Sequence, residues 1–157
     1  MNNINFEQDK REDLDSVNEA GSLAEQVVKT AYPKSYQILR LAGLVGNNRH
    51  PVKFLISKPE VKNGLAPVNL IHRKDIIQAI LLVLEGTQNV GIYNLCYPNH
   101  PQKVNYYNVM AKKLYNKTIE FENGSGGKEI DGSKFAAEFE FEYQYDINEI
   151  NNFDALI

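Results

Sequence analysis

Apolar positions along this chain follow two different periods, and the switches between them mark the elements. Over 38–45 they are nearly continuous, with Ile38, Leu39, Leu41, Leu44 and Val45 interrupted by one Arg. Such a run suits a strand covered on both faces. Gly43 and Gly46 permit close backbone approach at its end, before a polar loop over 47–51. Upstream, Leu23, Val27, Val28 and Ala31 recur at helical spacing over 21–31, with Ser22 as N-cap and Tyr32-Pro33 as the stop. Ile76, Ile77, Ile80, Leu81 and Leu84 predict a wide buried stripe on a helix over 73–85, with Asp75 favouring its first turn or serving as its cap and Gly86 closing it. A third helix is expected over 103–115, with Val104, Tyr107, Met110, Ala111 and Leu114 inward. Residues 66–72 and 91–97 read as strands, 52–56 as a short amphipathic element and 118–122 as a short alternating strand. GSGG at 124–127 is a flexible loop, a short helix follows near 133–139, and Phe139, Phe141, Tyr143 and Tyr145 alternate as an added strand would.

A helix leading into a buried strand is one half of a βαβ unit, so a parallel neighbour should precede it. Residues 1–20 are polar and acidic and offer no place for that strand. They read as a flexible lead-in, 21–146 as a single α/β domain and 147–157 as a loosely held tail. The fold class is α/β: a partial Rossmann-like parallel sheet with flanking helices.

Composition adds bounds. A chain of 157 residues, 43% apolar and 24% charged, can bury the core of one domain. No apolar run reaches membrane-spanning length, and residues 1–13 do not have the build of a secretory signal. Cys96 stands alone in an apolar setting, which fits a reducing, cytoplasmic location. Charge is uneven: −5 over residues 1–25, +10 over 26–118 and −8 over 119–157. A basic middle suits a small anionic ligand, or simply solvated helix faces and acidic flanks folding back. The bases are scattered singly with no aromatic interleaving, which argues against nucleic acid.

Several motifs are absent. No Gly-rich dinucleotide fingerprint follows a strand, and no phosphate loop ends in Gly-Lys-Ser/Thr. His50, His72 and His100 lack the spacing of a metal site. No Gly-X-Ser-X-Gly elbow occurs.

Three runs in fixed order, ILRLAGLVGNNRHP, PVNLIHRKDIIQAILLVLE and GIYNLCYPNHPQKVNYYNVMAKKL, resemble the C-terminal, substrate-side half of an extended short-chain dehydrogenase/reductase of the NAD(P)-dependent epimerase/dehydratase type. The likeness covers roughly 21–121, with an echo at 127–134. It implies an NAD(P) cofactor, with Ala42, Gly43, Leu44 and Val45 beside the nicotinamide. It implies a substrate-binding set of Arg49, His50, Asn69, His72 and Arg73, for a nucleotide-sugar-like or other small anionic ligand. For Arg49 and His50 the other reading is a solvated loop side chain; for His72, a hydrogen-bonded structural histidine; for Arg73, the exposed start of a helix. Tyr97 and His100 border the same cleft or pack a turn.

The departures from the family are as informative. The Gly-rich N-terminal βαβ half has no counterpart here. Where the family carries its Tyr-x-x-x-Lys pair, this chain has Val17 and Gly21, which hold no proton to transfer. The resemblance therefore implies no catalytic residue, no tight NAD(P) binding and a chain truncated to its substrate-side half. The alternatives are a non-catalytic interaction module that completes its sheet with another chain, as a homodimer or with a complementing chain, and a regulatory ligand-binding domain.

Overall fold

The computed structural model describes residues 4–5, 16–46, 49–86 and 90–149. Its elements are β1 (Ile4–Asn5), α1 (Ser16–Ala31), β2 (Tyr36–Leu41), β3 (Gly43–Val45), α2 (Val52–Leu55), β4 (Leu70–His72), α3 (Arg73–Glu85), β5 (Val90–Leu95), α4 (Lys103–Tyr115), β6 (Glu129–Ile130) and α5 (Ser133–Glu138). Most of the expected lead-in, at 1–3 and 6–15, and most of the expected tail, at 150–157, lie outside the described residues.

The expected strand over 38–45 forms, but it changes partner halfway. β2 runs parallel to β5, with Ile38 opposite Ile92 and Leu41 opposite Leu95. β3 runs parallel to β4, with Gly43 opposite Leu70 and Val45 opposite His72. The hand-over falls at two residues: Ala42 N–H donates to Leu95 O and Gly43 N–H to Asn69 O, each at 3.0 Å. Gly43 is required there, because a Cβ would lie 2.8 Å from Leu70 Cδ2 and 3.0 Å from Asn69 O. β1 pairs in parallel with β6, which the pattern did not predict.

Two apolar clusters flank the hand-over. One gathers Val45, Val52, Leu70, Tyr106, Met110 and Ile147. The other gathers Ala42, Ile71, Ile76, Tyr93, Phe135 and Phe141. α4 matches its expected bounds and buries Tyr107, Met110 and Ala111, together with Tyr106. It ends at Asn116 in the left-handed conformation (φ 52°), a stop that Asn tolerates.

Three expectations need correction. The predicted inward face of α1 points outward: Leu23, Val27, Val28 and Ala31 are exposed, while Ser22, Glu25 and Lys29 are the half-buried row. The cause is polar: Arg40 on β2 binds Glu25 and turns that row inward. β2 itself is half-buried rather than covered on both faces, since among the described residues β5 is its one hydrogen-bonded neighbour. On α3 the stripe is likewise reversed: Ile76 is buried, whereas Ile77, Ile80, Leu81 and Leu84 are exposed.

The alternation at 139–145 is not a strand. Phe139 and Phe141 bond back to Phe135 O and Ala136 O, and Glu140 sits at φ 49°. Phe135, Phe139, Phe141 and Tyr143 then pack ring against ring at centroid distances of 4.5–5.3 Å. The period-2 signal came from aromatic packing between turns rather than from a ladder. Residues 118–122 likewise form no strand beyond an isolated bridge between Val61 and Phe121.

Candidate functional site

The seam between β3 and β4 brings Ala42–Val45 together with Asn69, His72 and Arg73 of the expected substrate-binding set. Ala42, Gly43, Leu44 and Val45 lie alongside Leu70, Ile71 and His72, with Asn69 immediately before and Arg73 immediately after. The seam stands where carboxyl ends of parallel strands meet a helix start, the usual ligand position in α/β folds. Ala42 and Val45 are buried, so Gly43 and Leu44 present what surface this segment offers.

His72 is placed by three contacts. Its Nδ1 accepts from Lys74 N–H at 3.3 Å, which makes it the N-cap of α3. Its ring stacks on Tyr145 with centroids 4.6 Å apart. Its Nε2 lies against Gly46, where a Cβ would approach within 2.5 Å and where φ is +108°. Asp75, expected as the cap, has another task. Fully buried, it accepts from Gln144 N–H at 3.1 Å and Tyr145 N–H at 3.4 Å, strapping the C-terminal segment over the start of α3. Burial raises the Asp75 carboxyl above its ordinary range, opposed by those two hydrogen bonds.

Asn69 is tied to the chain that closes the seam: Nδ2 donates to Lys128 O at 2.8 Å and Oδ1 accepts from Ile130 N–H at 3.0 Å. Arg73, half-buried at the head of α3, has a fully buried Nε with no acceptor among the described residues. Buried donors of this kind are rare unless a ligand or ion supplies the acceptor.

Arg49 and His50, expected to share the loop, separate. Arg49 is exposed and bridges to Gly46 by two backbone hydrogen bonds. His50 is buried. Tyr106 Oη–H donates to Ile147 O at 2.9 Å, so it accepts from His50 Nε2–H at 3.0 Å, while His50 Nδ1 accepts from Val52 N–H. This relay needs the neutral ring, and burial lowers the His50 pKa from 6.5 to about 4. The relay also holds Ile147, so the held part of the chain extends past the expected boundary at 146. Sequence reading missed Tyr106; its place at helical spacing beside Tyr107 was the available signal.

A second recess of about 380 Å³ opens at the carboxyl end of β5, among Cys96, His100, Asp131 and Tyr143. His100 Nδ1 donates to Val68 O, holding the turn. Burial pushes the Cys96 thiol up to about 12, which disfavours the thiolate. Tyr97 packs edge-on to Tyr143.

The residues present fit one edge of a dinucleotide and not the whole. Gly43 and Leu44 offer a wall for a flat ring, but the backbone N–H groups of Ala42 and Gly43 are taken by Leu95 and Asn69. No Gly-rich turn at a helix N-terminus is available in the sequence for a pyrophosphate. Among the described residues, no group of three or more His, Cys, Asp or Glu could hold a metal, and no helix is long and apolar enough to cross a membrane.

The fold recurs in known proteins. The conserved protein of unknown function from Silicibacter pomeroyi superposes with a TM-score of 0.78 at 16% identity, over 99% of this chain and 60% of its own. UDP-glucuronic acid 4-epimerase from Bacillus cereus, solved with NAD, gives 0.71 at 16% identity, over 94% of this chain and 51% of its own. The chain has the fold of somewhat more than half of each of these proteins. That share is consistent with a C-terminal half of the NAD-dependent epimerases and dehydratases among these structures. Protein YeeZ of Escherichia coli K12 is 47% identical over 116 residues, which are 71% of this chain and 41% of YeeZ. The chain thus spans less than half the length of that curated relative. No family model matches it.

Proposed function

We propose that the chain is the substrate-side half of an NAD(P)-dependent epimerase/dehydratase-like protein, built to hold a nucleotide sugar and inactive by itself. The observation that carries this reading is Arg73: a buried guanidinium N–H without an acceptor among the described residues, at the head of α3 and beside the β3–β4 seam. A guanidinium suits a phosphate, which it binds through paired donors. Asn69 and His72 hold the seam's shape, Asn69 by fixing 128–130 and His72 by capping α3. Val17 and Gly21 stand one helical turn apart on α1, where the resembled family carries Tyr and Lys, so no acid–base pair is available. The test is calorimetric titration of the chain with UDP-glucuronic acid, the sugar nucleotide named for the neighbouring fold. Binding that Arg73→Ala weakens about tenfold supports the reading. Absence of binding, or binding indifferent to Arg73, overturns it.

A second reading is favoured by a separate observation, the outward-facing apolar row of α1 beside a strand with one neighbour among the described residues. On that reading the chain is an interaction module that completes its sheet with another chain.

A further inference from the structure

The second half of α3 and the segment that follows α5 line a recess of about 440 Å³, within the size range of clefts that hold ligands. Leu81, Leu82 and Phe141 supply its apolar walls, and Glu85, Glu140 and Glu142 its charge. Among the described residues, no Lys, Arg or His lines it. Gln78 Nε2 donates to Gln144 Oε1 at 3.3 Å, tying α3 to the facing segment. The apolar ground extends past the recess. Leu81 (52% exposed) joins Ile77 and Leu84 (75%) in a row at i, i+4 and i+7 along α3, with exposed Ile80 beside them. An amphipathic helix normally turns such a row toward the core, and exposed apolar ground of this kind marks interaction sites. The acids are also placed against local preference. A helix C-terminus favours Lys or Arg, but the last turn of α3 has no base and ends on Glu85. Glu140 sits at φ 49°, whereas the other non-glycine residues at positive φ among the described residues are Asn63 and Asn116, a type that tolerates it.

We propose that this groove receives a basic amphipathic helix of another protein, with its apolar side chains against Leu81, Leu82 and Phe141 and its Lys or Arg side chains over Glu85, Glu140 and Glu142. Shape selects a helix. The row Ile77–Leu81–Leu84 is a ridge against which a second helix packs, and it carries the apolar surface beyond what a small molecule in the recess would cover. Charge selects a basic one. Three carboxylates at the end of a helix whose dipole is also negative there attract cations and repel an acidic partner. The ends of this chain do not match, since residues 1–25 carry −5 and residues 119–157 carry −8. A second copy does not match either, because a two-fold axis through the groove would set the three glutamates against the same three. None of the groove's lining residues belongs to the β3–β4 seam, so the groove adds a protein partner to the ligand reading and does not depend on it.

The test uses a fluorescent peptide made of two copies of Leu-Lys-Lys-Leu-Leu-Lys-Leu, and the same peptide with Glu in place of each Lys. Each is titrated with the full chain and read by anisotropy. The expected result is that the lysine peptide binds and the glutamate peptide does not. Glu140→Gln with Glu142→Gln should weaken binding about tenfold and flatten its dependence on salt. Leu81→Gln should weaken it about tenfold as well, through the lost apolar contact. Leu81 is already exposed, so this variant keeps the fold. Glu120→Gln with Glu122→Gln, exposed acids outside the groove, should leave binding unchanged, and so should Phe54→Gln, an exposed apolar position elsewhere. A lysine peptide that does not bind overturns the proposal. So does equal binding of the two peptides, and so does binding indifferent to Leu81, Glu140 and Glu142. A homodimer that Leu81→Gln dissociates overturns it too, since the occupant is then a second copy.

Discussion

Arg40 donates to Glu25 twice, from Nε at 2.9 Å and Nη2 at 2.8 Å, and this one pair sets which face of α1 looks away from the sheet. Both side chains are more than four-fifths covered. Removing Glu25 takes a doubly bonded carboxylate from a poorly solvated guanidinium, whereas replacing both with apolar groups need not cost stability. Glu25→Ala should therefore destabilise the chain by about 2 kcal/mol. Adding Arg40→Met should recover most of that loss. Chemical denaturation of the two single variants and the double variant checks the cycle.

Two glycines should respond with opposite signs. Gly46→Ala forces a side chain into φ +108° and against His72 Nε2, so a loss of about 2–3 kcal/mol is expected. Gly21 lies inside α1, and an added methyl would meet nothing within 4 Å, so Gly21→Ala should raise stability by about 0.5–1 kcal/mol. Thermal melts of both variants test the pair.

The His50 relay makes stability depend on pH. The folded-state pKa is depressed from 6.5 to about 4, so the unfolded chain binds the proton first as pH falls. The contribution is complete above 6.5 and is lost as pH falls through 4, amounting to about 3 kcal/mol. Asp75 acts in the opposite sense. Its pKa is raised from 3.8, so its contribution is greatest below that value and declines as pH rises past it. Urea unfolding from pH 4 to 7 should show rising stability. His50→Gln should flatten the rise, and Asp75→Asn should steepen it.

Much of the fold was legible because its signals were local. α4 declared itself through Tyr107, Met110 and Ala111 at helical spacing. Gly43 and Gly46 announced close approaches that the structure fills with Leu70 and His72. What was not legible depended on partners distant in sequence. An apolar row on α1 tells that a face is apolar, not that Arg40 will claim the opposite one. His50 read as a loop residue because its partners, Tyr106 and Ile147, lie far along the chain. Asp75 looked like a cap because nothing near it revealed Gln144 and Tyr145 as its donors. Aromatic alternation at 139–145 mimicked a strand because ring packing between turns can also place every second residue inward.

The most direct test of the account is calorimetric titration of the 157-residue chain with NAD+ and NADP+. The account predicts no binding in the micromolar range, because Gly43 and Leu44 offer only a ring-side wall and no Gly-rich turn is present to receive the pyrophosphate. Micromolar binding of either dinucleotide to the chain alone would contradict it.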